Sequence, residues 1–237
     1  IKLENILFLD IETVPEMAAF DELSEIKKEL FAKKTEYQRK DEVSVEDFYE
    51  RAGIWAEFGR IICISVGYFV HLEGNRSFRI TSFSGDEKQL LINFKSLLDK
   101  HFNRDNHLLC AHNGKEFDFP YLCRRILING IEMPEILDLA GKKPWDVQHL
   151  DTFQLWKFGD FKSYTSLDLL AASFDLPTPK DDIDGSMINE VYYVDRNLDR
   201  IKKSLPEEVV LVAVSKTKPN SELKEAYTAG QRIYGEN

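Results

Sequence analysis

The sequence lacks the features that mark membrane proteins, disulfide-rich proteins and several enzyme classes. In 237 residues no apolar run approaches the ~20 residues that a membrane span needs, and no apolar secretory segment opens the chain. Glycine-rich phosphate loops, G-x-S-x-G elbows and C-x-x-C pairs are absent as well. Only three cysteines occur, Cys63, Cys110 and Cys123, widely spaced and among apolar residues. This pattern predicts reduced, buried thiols in a cytoplasmic protein without a membrane partner.

Positive charge is also in short supply. The chain has 41 Asp and Glu against 31 Lys and Arg, a formal net charge of -10. This balance argues against a protein that wraps nucleic acid by charge alone, because such binding neutralises phosphates with Lys and Arg. It leaves open an enzyme that grips a strand end through metal ions, because the site for those ions is itself made of carboxylates.

Strand-like and helix-like patterns alternate along the chain and predict an α/β domain with a mixed sheet. Short apolar runs predict strands over 6–11, 61–70, 77–84 and 107–111, and Gly74 suggests a hairpin between the second and third. Helical spacing of apolar residues predicts helices within 18–52 and over 86–102, 120–128 and 163–174. Residues 129–160 are expected to form loops and short pieces.

Two acidic residues follow the first apolar run. Asp10 and Glu12 are two positions apart, so in a strand both side chains point to the same side. Two hard oxygen ligands that converge there suit Mg²⁺ or Mn²⁺. The alternative is a pair of ordinary strand-end acids that cap a turn.

A second polar segment follows the fourth predicted strand. It runs from Asn113 through Phe117 and Asp118 into a predicted helix, whose dipole tolerates a carboxylate at its start. The alternative for Asp118 is a plain N-cap. Phe117 and Leu122 are expected to be core residues under either interpretation.

Together these segments resemble the DEDD-type 3′–5′ exonucleases, specifically the proofreading-like domain related to family-B DNA polymerases. Residues 8–13 look like the first motif of that family, and residues 113–125 look like its second. The segments 162–171 and 179–186 are similar to later parts of the family, so the resemblance covers about residues 1–201. It implies a ribonuclease H-like α/β fold, with helices flanking a mixed sheet and a short C-terminal extension.

The resemblance also implies a two-metal hydrolysis of phosphodiester bonds at the 3′ end of single-stranded nucleic acid, with DNA expected over RNA. Two Mg²⁺ or Mn²⁺ ions would be held by Asp10, Glu12, Asp118 and a fourth carboxylate. The family's substrate contacts would map to the following residues: Thr13, Asn113, Phe117, Tyr121 and Arg125.

The third motif of the family, Tyr-x-x-x-Asp, is degraded in this sequence. Continuing the alignment without a gap places Ser204 at the tyrosine position and Glu208 at the aspartate position. Glu208 can serve as a ligand, whereas Ser204 cannot replace a phenol. Two alternatives follow: Glu208 is a solvated acid in a foreign tail, or the chain is a weak or inactive nucleic-acid-binding domain. Asp184 is a further substitute ligand.

The tail has a resemblance of its own. Residues 205–237 look like the start of the pyridoxal-phosphate homeostasis proteins, and Lys216 matches the Schiff-base lysine of that family. So short a segment cannot close an eight-stranded barrel, so we expect no binding of pyridoxal phosphate. The two resemblances meet near Ile201, which suggests an exonuclease domain over 1–201 and a separate segment over 202–237, joined by a natural fusion or an artefact.

Overall fold

The computed structural model describes residues 1–39, 43–72, 75–160, 162, 164–176 and 187–196, with two short strands nearer the C-terminus. The strands are β1 (Ile6–Pro15), β2 (Gly59–Leu72), β3 (Asn75–Ser84), β4 (Leu108–Ala111), β5 (Leu150–Asp151), β6 (Ala213–Val214) and β7 (Tyr234–Gly235). The α-helices are α1 (Glu25–Thr35), α2 (Val45–Phe48), α3 (Glu87–His101), α4 (Asp118–Ile128), α5 (Thr152–Lys157), α6 (Leu167–Ser173) and α7 (Ile188–Tyr193). Single 3-10 turns span Leu3–Asn5, Phe20–Glu22, Tyr49–Ile54, Glu135–Leu137 and Pro144–Asp146.

Five strands form one mixed sheet in the order β3-β2-β1-β4-β5. The hairpin partners β2 and β3 run antiparallel, β2 runs antiparallel to β1, and β4 runs parallel to both β1 and β5. Helices flank this sheet. The predicted fold class, a ribonuclease H-like α/β domain with a mixed sheet, is confirmed.

Strand β1 is the central strand of the sheet, and its alternate residues point to the two opposite faces. Leu7, Leu9 and Ile11 are buried in the main core with α3 and α4. The predicted helix α3 carries four buried apolar residues on one face, and the Asp86 side chain caps it by accepting a hydrogen bond from Gln89 N–H. Periodicity alone therefore located this helix correctly.

The segment 18–52 differs from the single amphipathic helix that its spacing suggested. It divides into two 3-10 turns and the helices α1 and α2. On α1, Ile26 is 68% exposed and Leu30 is 54% exposed, although both were expected on the buried face. The reason is long-range packing, because Phe31 turns instead into a separate aromatic cluster with Tyr49 and Phe58.

Other element boundaries in the structure differ from the predicted ones. Strand β1 continues to Pro15, four residues past its apolar run, because β2 pairs with it along that length. Helix α6 begins at Leu167 rather than at 163, since Ser166 accepts a hydrogen bond from Leu169 N–H and acts as the N-cap. Residues 129–160, expected to form loops and short pieces, contain the two-residue strand β5, the six-residue helix α5 and two 3-10 turns, as expected.

The cysteines agree with the sequence. Cys63, Cys110 and Cys123 form no disulfide; the first two are buried and Cys123 is half-buried. Burial raises the pKa of Cys110 to about 12 and that of Cys123 to about 11, so both are neutral thiols near neutral pH. In the described part of the chain, no helix has the length and apolar character to cross a membrane.

Candidate active site

The sheet presents Asp10 and Glu12 on the face opposite the main core. Their neighbours Leu9 and Ile11 are buried in that core, whereas Asp10 is exposed and Glu12 is half-buried. Side chains alternate along β1, so Asp10 and Glu12 point to the same side of the strand, as the D-x-E spacing predicted. The pairing of β1 with β2 shifts register between Glu12 and Thr13, so the strand regularity ends directly after the two acids.

Asp118 reaches this strand from a helix more than a hundred residues away in sequence. It is the first residue of α4 and only 3% exposed, and its Oδ1 accepts a hydrogen bond from Ile11 N–H at 3.3 Å. The N-cap position belongs to Phe117. The alternative of Asp118 as a plain N-cap is therefore wrong, because its carboxylate is committed to β1.

The electrostatics of Asp118 show that the three acids share one environment. Burial raises the pKa of Asp118 well above its usual range, and the negative charge of Asp10 raises it further, with a smaller effect from Glu12. Like charges gathered in this way disfavour ionisation unless a cation joins them. The first and second predicted motifs are thus brought together.

Carboxylate oxygens are the ligands that Mg²⁺ and Mn²⁺ prefer, so the chemistry of these three acids fits the implied ions. The fit is incomplete within the described residues, which contain no group of three or more His, Cys, Asp or Glu side chains already arranged to hold a metal ion. Glu208, the predicted fourth ligand, lies outside the described residues, as do Ser204, Asp184 and Lys216.

Asn113 occupies the tight loop between β4 and α4. Its φ is +61°, a left-handed conformation that Asn tolerates better than most residues, and its side chain is half-buried. The next residue must be small, because a Cβ at Gly114 would lie 2.4 Å from the Cβ of Ala111. Phe117 ends the loop, half-buried against the main core, with its ring 5.3 Å from that of Tyr121.

Asp151 holds this loop in place and was missed by the sequence reasoning. It is 2% exposed; its Oδ1 accepts from Asn113 N–H at 3.0 Å and its Oδ2 accepts from Lys115 N–H at 3.1 Å. The same carboxylate caps α5 by accepting from Phe153 N–H and Gln154 N–H. An aspartate directly before a helical segment was the available signal, but it identified only the capping role.

Tyr121 and Arg125 belong to the interior. The Tyr121 hydroxyl donates to Gly53 O at 2.8 Å and also bonds the Thr13 side chain. Arg125 forms a buried ion pair with Glu87 and donates to Ala56 O at 2.8 Å. This burial argues against the predicted contacts of Tyr121 and Arg125 with a nucleic-acid strand. The i, i+4 spacing on α4 instead locks that helix, and with it Asp118, against the segment before β2.

Comparison with known proteins identifies the family. Residues 54–210, more than half of the chain, match the family described as a predicted 3′-5′ exonuclease related to the exonuclease domain of PolB. The chain belongs to this family. It is therefore an exonuclease-like domain, and domains of this kind use divalent metal ions.

One solved structure aligns with much of the chain. The family B DNA polymerase from the hyperthermophilic archaeon Pyrobaculum calidifontis aligns with 84% of this chain at a TM-score of 0.48 and 14% identity. The alignment covers 22% of that polymerase chain.

A second comparison concerns a short stretch only. The pyridoxal phosphate homeostasis proteins of Escherichia coli strains K12 and O157:H7 are each 66% identical to this chain over 32 residues. The stretch is 14% of this chain and 14% of each relative, so the chain spans a small fraction of these curated relatives.

Proposed function

We propose that this chain is a metal-dependent 3′–5′ exonuclease that hydrolyses phosphodiester bonds at the 3′ end of single-stranded nucleic acid, DNA in preference to RNA. One observation carries the proposal. Asp118 is hydrogen-bonded to β1 and buried, and its pKa is raised first by that burial, then by the charge of Asp10 and least by that of Glu12. Such a set of acids is unfavourable by itself and favourable around divalent cations.

Asp10, Glu12 and Asp118 would hold the ions, with Glu208 as the fourth ligand. Bound Mg²⁺ or Mn²⁺ supplies a hydroxide nucleophile at neutral pH and offsets the charge of the departing 3′-oxygen. The hydrogen bond from Ile11 N–H fixes the rotamer of Asp118, so this ligand is oriented before ions or substrate arrive. Asn113 and Phe117, at the mouth of the loop, would contact the terminal nucleotide, and the Phe117 ring would offer a stacking surface. Thr13 follows the two acids on β1 and bonds Tyr121, which suits a positioning role.

Digestion of a 5′-labelled single-stranded oligonucleotide in Mn²⁺ or Mg²⁺ tests the proposal. We expect a ladder that shortens from the 3′ end and falls at least about a hundredfold in Asp10→Asn and in Asp118→Asn, because each change removes a charged ligand. Asp99→Asn is the matched control, since this aspartate pairs with Lys95 on the exposed side of α3. A ladder that survives Asp10→Asn would contradict the proposal.

A second candidate is a nucleic-acid-binding domain with weak or no hydrolysis. It is favoured by the absence, in the portion of the chain that the structure describes, of a ready-made group of three metal ligands. Digestion by the unaltered protein separates the two candidates, and Glu208→Ala tests the fourth ligand. A ladder lost with this change assigns Glu208 as fourth ligand, whereas strand binding without digestion in the unaltered protein identifies the second candidate.

We further propose that residues 1–201 form the exonuclease domain, that 202–237 form an extension without pyridoxal phosphate, and that the protein is cytoplasmic. The family match over 54–210 and the three cysteines without a disulfide support these assignments. Limited proteolysis with mass spectrometry tests the boundary, and we expect a protected fragment that ends near Ile201. An absorbance band of bound cofactor, lost in Lys216→Ala, would contradict the assignment of the extension.

A further inference from the structure

Three phenylalanines lie on the same face of the sheet as the active-site acids. Phe8 precedes Asp10 by two positions on β1, so their side chains point to the same side. Phe8 pairs with Gly67 on β2, and Phe69 pairs with Phe78 on β3, which places all three rings on this face. Each ring is half-buried, so part of its apolar surface remains accessible. The ring planes are inclined to one another by 60° to 81°, so the surface is ridged and each ring presents its own face or edge.

The rings form one contiguous patch. The ring centroids of Phe69 and Phe78 are 4.9 Å apart. The Phe8 centroid lies 6.3 Å from that of Phe69 and 6.0 Å from that of Phe78. Gly67 makes this possible, because a Cβ there would lie 2.4 Å from the tip of the Phe78 ring. Phe78 therefore reaches across β2 toward Phe8 through space that any other residue would fill.

One arginine borders the patch, and a glutamate pairs with it. Arg76 pairs with His71 across the hairpin on the same face, and its guanidinium lies 5.9 Å from the Phe69 ring centroid. The Glu4 carboxylate contacts both the Arg76 and the His71 side chains: it accepts a hydrogen bond from Arg76 Nε and pairs with His71 Nε2. The outer edge of the rings therefore carries one Arg whose charge Glu4 balances, so the rings and not net charge would supply the contact with a strand.

Helix α7 covers one end of the sheet face that carries the acids, and the phenylalanine rings lie at its other end. Beyond Glu12, helix α7 packs Ile188 and Val191 onto Val14, in a cluster that also covers Cys63. Opposite Asp10 stands the small Ser65, whose hydroxyl bonds that of Ser82. Within the described residues, a nucleic-acid strand whose 3′ end lies at the acids would be blocked on one side by α7. On the other side, the small side chain beside Asp10 leaves a path along the sheet to Phe8.

We infer that Phe8, Phe69 and Phe78 form an aromatic platform that contacts the bases of a single nucleic-acid strand upstream of its 3′ end. The inference rests on the proposed function for the location of the 3′ terminus. Two residues of β1 separate Phe8 from Asp10 by about 7 Å, which is about two stacked-base steps of ~3.4 Å. The platform therefore serves nucleotides at least two positions before the terminus, and its contribution depends on strand length.

The test combines binding with hydrolysis of a substrate too short to reach the rings. Phe69→Leu and Phe78→Leu, combined in one variant, retain apolar volume and remove both flat faces. We expect the Kd for a 5′-fluorescein dodecamer of deoxythymidine, measured by anisotropy in EDTA, to rise at least about fivefold. The Kd for a dinucleotide and the hydrolysis of the p-nitrophenyl ester of thymidine 5′-monophosphate should stay unchanged. Tyr37→Ala is the matched control, an exposed aromatic after α1.

The outcomes separate the two proposals. Unchanged dodecamer binding in the double variant, or no dodecamer binding by the unaltered protein, overturns the platform. Equal losses for the dinucleotide and the dodecamer also overturn it, because the rings would then act at the terminus itself. Ring-dependent dodecamer binding in a protein that hydrolyses neither substrate overturns the exonuclease proposal and leaves the platform standing.

Discussion

Acid should destabilise this protein through one buried histidine. His149 precedes β5, where its Nδ1 accepts a hydrogen bond from Leu109 N–H at 3.2 Å and its Nε2 donates to Ile136 O at 2.9 Å. These partners require the neutral ring, since a protonated Nδ1 cannot accept. Burial lowers the pKa of His149 from 6.5 to about 4. The group is neutral in both states well above pH 6.5, so the stability that it supports is complete there.

The cost of acid follows from that shift. As the pH falls below 6.5 the unfolded chain takes up a proton that the folded chain resists, so stability declines until the folded ring is protonated near pH 4. The shift corresponds to about 3 kcal/mol in total, of which about 2 kcal/mol should be lost between pH 7.5 and pH 5. His149→Gln can keep an acceptor and a donor but has no proton to gain, so the variant should lack this part of the pH dependence.

Urea denaturation at pH 7.5 and pH 5 measures the effect as a difference between proteins. The free energy of unfolding of the unaltered protein should fall by about 2 kcal/mol more than that of His149→Gln over this range. His101→Gln, at the exposed end of α3, serves as the matched control. Equal pH dependence in the unaltered protein and His149→Gln would refute the reasoning, because every other titrating group is common to both.

Two further predictions concern the supports of the active site. Glu87→Gln should lower the free energy of unfolding, measured in urea, by about 3 kcal/mol, because it leaves the buried Arg125 without its counter-charge. Glu29→Gln at an exposed position of α1 is the control and should change little. Equal stabilities of the two variants would contradict the structural role assigned to the pair. Asp151→Asn should cost about 1–3 kcal/mol and raise the KM for a single strand more than it lowers kcat, because it weakens the bonds that hold the loop at Asn113. Steady-state digestion checks this against the exposed Asp146→Asn, and an unchanged KM would show that the loop keeps its shape without the charge.

Local patterns were sufficient where a single element decides the outcome. The D-x-E pair faces one side of β1 because strand alternation is a property of two successive residues, and the apolar spacing of α3 defines a face before any partner is known. The hairpin of β2 and β3 and the cysteines without disulfides were predicted on the same local grounds. These features depend on neighbours in sequence, so the sequence by itself determined them.

Contacts between distant segments decided the rest. The sequence indicated that Asp118 begins a helix, but only packing of α4 on β1 buries it beside Asp10 and Glu12. The same packing turns Tyr121 inward, although the family resemblance implied a substrate contact. Asp151 drew no prediction from the sequence, because its role depends on an oxygen that reaches a loop 36 residues earlier. Burial and long-range hydrogen bonding are properties of the assembled core, so no local pattern in the sequence could reveal them.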